Sequence, residues 1–520
     1  MFCLQCLIIK PDCIQSADLR RLGDDSSAML CQPSDTQFRC EPFPQRIQPM
    51  NISQLPTSLT GLNISEAAQL IATREISPVE LTEAVLSRIS DVQPRLNAYI
   101  TILAEAALDR ARHAEQEIMD GKLRSTLHGI PFAVKDNYHV AGIPTTGGSR
   151  LMEGYVADRT ATTVARVQDA GAILLGKLNT WEYGTGNGEV HDDLPYPLAR
   201  NPYDVTRFSG GSSTGAGVAV ASGAALFALG SDTGGSVRLP AAATGVQGMK
   251  ATFGRVSRAG ILPNCWTCDI AGPLTWTVQD NALVLGAMAG FDPSDPQSAN
   301  RPVPDMLGAL RMGVAGMRIG VIRDFGPEAP APQAEVVARF EAALDILRDQ
   351  GVVLLEAALP KPVSAYRSAL SVINWSESYS IHEKDFLERH HLMGRSLRGK
   401  MMAGFMVRAA DYLAAQRERR ALACATDAVI TKFDAVITLT TLTTAPPFGD
   451  QALLSGFTAG SVCSPFSITG HPAMAVATGF DDSGLPTSLQ VVGKYFDEAS
   501  VYRVAQAVEQ GLPERQRPLL

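Results

Sequence analysis

The segment from 201 to 260 most limits how this chain can fold. It is dense in glycine, serine and alanine, running from "NPYDVTRFSGGSSTGAGVAVASG" through "GSDTGGSVRLPAAATGVQGMK". Side chains this small let one backbone pass close to another, and glycine lets the chain turn where a Cβ would clash. Such a segment suits the inside of a packed domain. Within it, Gly234 and Gly235 run straight into Ser236. That is either a turn in a glycine-rich core or a nucleophile set among backbone donors.

The rest of the chain supplies the frame. "ISPVELTEAVLSRI" offers Ser77 as N-cap, Pro78 at the first helical position and Glu80 at the third, a capping box ahead of apolar residues at helical spacing. A second amphipathic helix is predicted over about 102–120. "HGIPFAVKDN" reads as a short buried strand breaking into a turn, and "TATTVARVQDAGAILLGKLN" as helix then strand. "AGVAVASGAALFAL" reads as one helix. From 316 the order strand "MRIGVI", helix "PQAEVVARFEAALDILRDQG", strand "VVLLEA" is a βαβ unit. Residues 363–433 read as largely helical, "DAVITLTT" and "SLQVVG" as strands, and "DEASVYRVAQAVEQG" as a closing helix capped by Asp497. No fixed repeat and no long linker divides the chain. The prediction is a single large α/β domain, residues 60–515, with a central mixed β-sheet flanked by helices.

Residues 1–50 differ from the remainder of the chain, with few periodic apolar positions and many Cys, Pro, Gln and Arg. They read as a disordered N-terminal extension, and the opening "MFCLQCLIIKPDC" lacks the basic start of a secretory signal. Five of the nine cysteines fall in the first 40 residues. Cys3-x-x-Cys6 and Cys265-x-x-Cys268 have metal-like spacing, but neither has a second pair at zinc-finger distance. They read as ordinary free thiols.

Composition bounds the function. The chain is 45% hydrophobic and 19% charged, as in soluble globular proteins. No apolar run reaches the roughly 18–20 residues of a membrane span. The formal net charge is −8, with no block of Lys or Arg. The expected partner is therefore a small molecule, with no nucleic acid and no membrane, in the cytoplasm. A homodimer is left open.

Three chemistries compete for the Gly/Ser-rich segments. Gly211-x-Ser213-x-Gly215 matches the nucleophile elbow of α/β-hydrolases, for which His471 is the one well-placed downstream histidine. The residues before it are polar and turn-rich, where an elbow needs an apolar strand. Phosphate binding would need a lysine at P-loop spacing, and none follows. Third, a lysine freed of its proton by burial can replace histidine as the base for a serine. Lys135, at the end of "IPFAVK", is the candidate. The local pattern leaves it open whether this side chain enters a core or sits at the surface.

Three long stretches, in order, resemble the amidase signature family of serine amide hydrolases. They are "GIPFAVKDNYHVAGIPTTGGS", "NPYDVTRFSGGSSTGAGVAVASG" and "GSDTGGSVRLPAAATGVQGMKATFGRVSRAGILP". Weaker likeness continues to "PFSITGHPAMAVATGFDDSGLPTSLQVVGKYFDEASVYRVA", so the resemblance covers about 60–510. It implies a Ser–Ser–Lys triad with Ser236 as nucleophile, Ser212 as bridging serine behind a cis peptide bond, and Lys135 as base. It implies an oxyanion hole from the backbone N–H groups of Thr233, Gly234, Gly235 and Ser236, with Ser213 auxiliary. No cofactor or metal is called for.

Asp232 and Arg238 are expected to fix the loop by pairing, and Asp136 to point away from Lys135. Cys265, Cys268, Trp266 and His471 are expected to be structural or to line the pocket. The implied activity is hydrolysis of a small-molecule amide, or of a carbamate, urea or ester. The alternatives are the glutaminase subunit of a tRNA-dependent amidotransferase and an esterase using Ser213 and His471. An Asn-Leu-Ala-Arg-type helix, usual in that glutaminase, is absent near 370–390, where the chain reads "SVINWSESYSIHEKDFLERHHLMGRSLRGKMM".

Overall fold

A computed structural model of the chain describes residues 58–519. The predicted N-terminal extension and its five cysteines lie outside the described residues. The described strands are β1 (Tyr99–Ile102), β2 (Pro131–Lys135), β3 (Ile173–Leu178), β4 (Phe227–Asp232), β5 (Gln247–Lys250), β6 (Ile270–Thr275), β7 (Arg318–Ile322), β8 (Val353–Ala357), β9 (Ala435–Leu439), β10 (Ala473–Phe480) and β11 (Pro486–Val492). They form one mixed sheet in the order β1-β3-β2-β4-β6-β5-β10-β11-β9-β7-β8. The predicted α/β class with a helix-flanked mixed sheet is what the chain adopts.

The local signals explain the elements that frame the site. Ser77 and Glu80 close the capping box, with N–H to side-chain distances of 3.1 and 2.8 Å, and start helix Pro78–Leu96. Every residue of β2 and of β3 is buried, as in strands covered on both faces. β7 and β8 run parallel around helix Ala334–Asp349, completing the βαβ unit. Asp497 caps the closing helix Glu498–Gly511 by accepting the Ser500 N–H.

One prediction fails instructively. "AGVAVASGAALFAL" is not a single helix. Helix Thr214–Ala221 stops at Ser222, Gly223 turns the chain at φ +73°, and Phe227 opens β4. Tertiary pairing overrides alanine's helix preference here, because β4 lies between β2 and β6 and Phe227 stacks on Phe132 at 5.0 Å. The short helix is buried along its whole length. A Cβ on Gly215 would lie 2.2 Å from the Ala98 carbonyl oxygen, so only glycine lets the backbones pass.

β2 and β4 are parallel neighbours, with Val134 opposite Leu229. Their C-terminal ends therefore open at the same edge, the place where parallel sheets commonly hold ligands.

Candidate active site

Lys135 is the last residue of β2 and is fully buried. Its Nζ lies 2.7 Å from Ser212 Oγ and 3.0 Å from Ser231 Oγ. Burial pushes the amine down to about 7, against the opposing pull of the Asp269 and Asp232 carboxylates. The neighbouring Asp136 turns the other way, accepting from Lys177 at 2.8 Å and from the Thr146 N–H at 2.9 Å. Lys135 thus has hydroxyls, not a carboxylate, as its direct partners.

Ser212 follows a cis peptide bond from Gly211. Its carbonyl accepts from the Trp181 N–H and from the Thr180 hydroxyl, both at 3.1 Å. A Cβ on Gly211 would come within 2.3 Å of the Trp181 ring, and one on Gly186 within 2.6 Å of the same indole. Ser213 N–H donates to the Ser236 carbonyl at 3.3 Å. Its hydroxyl donates to the Ser231 carbonyl at 3.2 Å and accepts the Ser231 N–H at 3.3 Å. Ser213 therefore ties together the backbones carrying Ser212, Ser231 and Ser236.

Ser236 is half-buried in the loop between β4 and helix Arg238–Thr244. Its hydroxyl makes no side-chain hydrogen bond among the described residues; its carbonyl joins it to the cluster. The loop is shaped by Asp232, whose carboxylate accepts the N–H of Gly235 at 2.8 Å and of Val237 at 3.1 Å. Arg238 lies on the same carboxylate with two bonds of 3.0 Å, and also reaches Gln490 at 3.0 Å and Ser467 at 2.6 Å. This is the loop-fixing pair expected of Asp232 and Arg238. It also corrects one expectation. The Gly235 N–H is already committed to Asp232, so the candidate oxyanion donors narrow to Thr233, Gly234 and Ser236, whose N–H groups make no hydrogen bond among the described residues. A Cβ on Gly234 would meet only Leu370, at 3.6 Å, so the space beside it is open.

A cleft of about 480 Å³ reaches this cluster, with Asn137, Ser212, Ser231, Thr233 and Asn264 in its wall. Thr233 Oγ donates to Asp269 at 2.6 Å and accepts from Asn264 Nδ2 at 3.1 Å. Asn264 Oδ1 accepts from Lys400 Nζ at 2.5 Å, and Thr185 lies 3.3 Å from the same amine. Burial of the Lys400 amine brings it down to about 8, while Cys265 and Asp269 oppose the shift. Lys400 makes no ion pair among the described residues.

The turn 264–269 is held from behind. Glu377 accepts from the Thr267 N–H at 2.9 Å, the Thr267 hydroxyl at 2.8 Å, the Cys265 thiol at 3.1 Å and the Tyr412 hydroxyl at 2.9 Å. Cys265 and Cys268 are free, buried thiols in that turn, and Trp266 lines the cleft.

The esterase alternative fails on geometry. His471 bonds Thr469 at 2.8 Å and Asp427 at 3.3 Å, and stacks on Tyr495 at 3.9 Å. Burial and the charge of Lys250 push the imidazole down to about 3. Ser213, its supposed partner, is bound to the Ser231 backbone instead.

Sequence reasoning missed four residues of this site. Ser231 escaped because the start of β4, Phe227–Leu229, was read as the end of a helix, which hid the strand that carries it. Asn137 stands two places beyond Lys135 and carried no signal of its own. Asp269 and Lys400 come from segments over a hundred residues downstream, joined to the site only by folding.

Comparison with known proteins bears on this geometry. The Amidase family model matches residues 80–502. A glutamyl-tRNA(Gln) amidotransferase subunit of Moorella thermoacetica is 37% identical over 484 residues, covering 88% of this chain and 98% of the relative. The protein of the same name from Chloroflexus aggregans is 36% identical over 477 residues, covering 87% and 97%. Among solved structures, the peptide amidase of Stenotrophomonas maltophilia superposes with a TM-score of 0.77 at 30% identity, covering 89% of this chain and 99% of that one. The glutamyl-tRNA(Gln) amidotransferase subunit from Thermotoga maritima gives 0.75 at 30% identity, covering 89% and 98%.

These relatives correct the expectation of a partner set confined to a small molecule without nucleic acid. These curated relatives are subunits of an enzyme named for a tRNA-linked substrate. Among the described residues no helix is long and apolar enough to cross a membrane. With a family model spanning most of the folded body and solved relatives that superpose over nearly their whole length, the chain belongs to the amidase signature family.

Proposed function

We propose that the chain hydrolyses a carboxamide through a serine ester, with Lys135 as base, Ser212 as relay and Ser236 as nucleophile. The observation that carries this reading is the 2.7 Å contact between Ser212 Oγ and a buried lysine amine lowered to about 7. Such an amine spends much of its time neutral near pH 7 and can accept a proton. Ser212 gives its proton to Lys135 and takes the one on Ser236, whose oxygen attacks the carbonyl carbon. The carbonyl oxygen gains the charge and sits against the N–H groups of Thr233, Gly234 and Ser236. As the C–N bond breaks, Ser212 protonates the departing nitrogen and recovers a proton from the lysine. Water then repeats the sequence on the ester and frees the acid.

For the substrate we favour a carboxamide whose far end carries a carboxylate, glutamine being the simplest. The support is Lys400, an ammonium with no ion pair among the described residues, bonded to the cleft-wall residue Asn264. The relatives named as amidotransferase subunits agree with that choice. On this reading the acid released is glutamate, and the ammonia serves a transamidation carried out with partner subunits. A second reading, hydrolysis of free amides without partners, is favoured by the Glu377 clasp. It fastens the pocket turn to the very helix, Val363–Arg389, whose sequence departs from the glutaminase pattern.

The pH profile separates these readings. Lys135 must be neutral, so kcat/KM rises about tenfold per pH unit below about 7 and levels above it. Lys400 must be charged to hold a carboxylate, so for glutamine kcat/KM falls again above about 8. A neutral amide shows the rising limb alone. The deciding experiment is ammonia release from glutamine, a C-terminal peptide amide and benzamide across pH 5–10. Release confined to neutral amides favours the second reading, and release from none refutes both.

A further inference from the structure

One polar atom in the cleft wall is left without a partner. Asn137 is 7% exposed, and its Nδ2 donates to Ser231 Oγ at 3.1 Å, the hydroxyl that Lys135 also meets at 3.0 Å. Its backbone carbonyl is taken by the Leu262 N–H at 2.8 Å. Its Oδ1 is buried and accepts no hydrogen bond. Among the described side chains lining this cleft, no other has a buried, unpaired polar atom. A buried acceptor left unpaired is unfavourable, so such a group is completed by a ligand or an ordered water, and in the wall of the catalytic cleft a substrate N–H can take that place.

We propose that Asn137 is a further substrate-contacting residue whose Oδ1 accepts an N–H of the scissile amide nitrogen. This rests on the reading of Ser236 as nucleophile. The need for such an acceptor comes from the departing nitrogen. When the tetrahedral intermediate collapses, the C–N electron pair returns to nitrogen and a proton must arrive from Ser212. The nitrogen lone pair therefore has to face Ser212, although a free amine could turn its N–H groups there instead. An N–H held on Asn137 fixes the orientation.

The contact strengthens as the reaction proceeds, because nitrogen becomes a better donor as it is protonated. It therefore acts on the transition state more than on the bound substrate. An ester has no N–H at this place and leaves Oδ1 unpaired. Asn137 is thereby a determinant of amide over ester specificity.

The test uses the full chain, whichever carboxamide releases ammonia fastest, and the matching methyl ester. In Asn137→Ala the ratio of amide to ester kcat/KM falls about 10- to 100-fold, the range for one hydrogen bond to a partly charged donor. Asn137→Asp keeps an acceptor and recovers most of that ratio. Its added carboxylate beside Lys135 moves the acid limb of the pH profile upward. Equal losses on amide and ester would show that Asn137 only supports Ser231 and Lys135, and would overturn the proposal. So would an unaltered ratio. Fluorophosphonate labelling of Ser236 in each variant reports that the fold and nucleophile are intact. A wild-type chain that neither labels nor turns over amide or ester removes the Ser236 reading itself, and this inference with it.

Discussion

Ser236→Ala turns over no amide and takes up no fluorophosphonate, while its thermal unfolding stays close to that of the wild type. Removing the nucleophile of a serine hydrolase costs on the order of 10⁶ in kcat. The fold tolerates the change because the half-buried Ser236 hydroxyl makes no side-chain hydrogen bond, so the expected stability effect is under about 0.5 kcal/mol. Activity and label together make the test specific. A variant that keeps full turnover would show that another group attacks the substrate. A companion pair sharpens it: Lys135→Ala is expected to cripple turnover, and His471→Ala to retain the chemistry, since the imidazole faces Thr469 and Asp427.

Arg238→Met is expected to be the most destabilising single change near the site. It leaves the Asp232 carboxylate buried without its cation, a situation that typically costs about 3–5 kcal/mol. Burial alone pushes the Asp232 carboxyl up. The charge and bonds of Arg238, with Lys250 and the Val237 N–H behind them, hold it below the ordinary carboxylate range. That depressed group adds stability present above its unfolded value of about 3.9, and lost as pH falls through its lower folded value. Without Arg238 the carboxyl rises, so acid unfolding of the variant begins at higher pH. Denaturant titrations at pH 7 and pH 4.5 measure both effects. The double variant Asp232→Asn/Arg238→Met recovers part of the stability, because no charge is then stranded. It does not recover activity, because an amide offers one acceptor oxygen where the carboxylate offered two to the Gly235 and Val237 N–H groups. Stability equal to wild type in the single variant would contradict this account of the loop.

The parts of this molecule that obey local rules could be read without a structure. The Ser77–Glu80 cap, the buried run of β2 and the βαβ unit around Ala334–Asp349 each follow from signals a few residues long. β4 could not be read this way. Its opening "FAL" continues an alanine-rich pattern that favours helix, and only pairing with β2 and β6 makes the segment a strand. That error hid Ser231, whose position beside Lys135 depends on strand register. The burial of Lys135 was open for a similar reason, since a strand end can face core or solvent and the decision lies with Ser212 and Ser231 from other segments. Of the cleft's outer wall, Trp266 was expected from the sequence and the contact behind it was not. Asn264 and Lys400 meet because the turn and the helix Arg395–Met406 are packed together, and no pattern in either segment announces it.

The indole of Trp181 fills the room that side chains at Gly186 and Gly211 would need. These three positions therefore form a single unit of inheritance: neither glycine can acquire a side chain until the ring has been replaced by something smaller. For anyone redesigning this wall, shrinking position 181 is the first move, because a library at 186 or 211 built before it puts every new side chain against the ring.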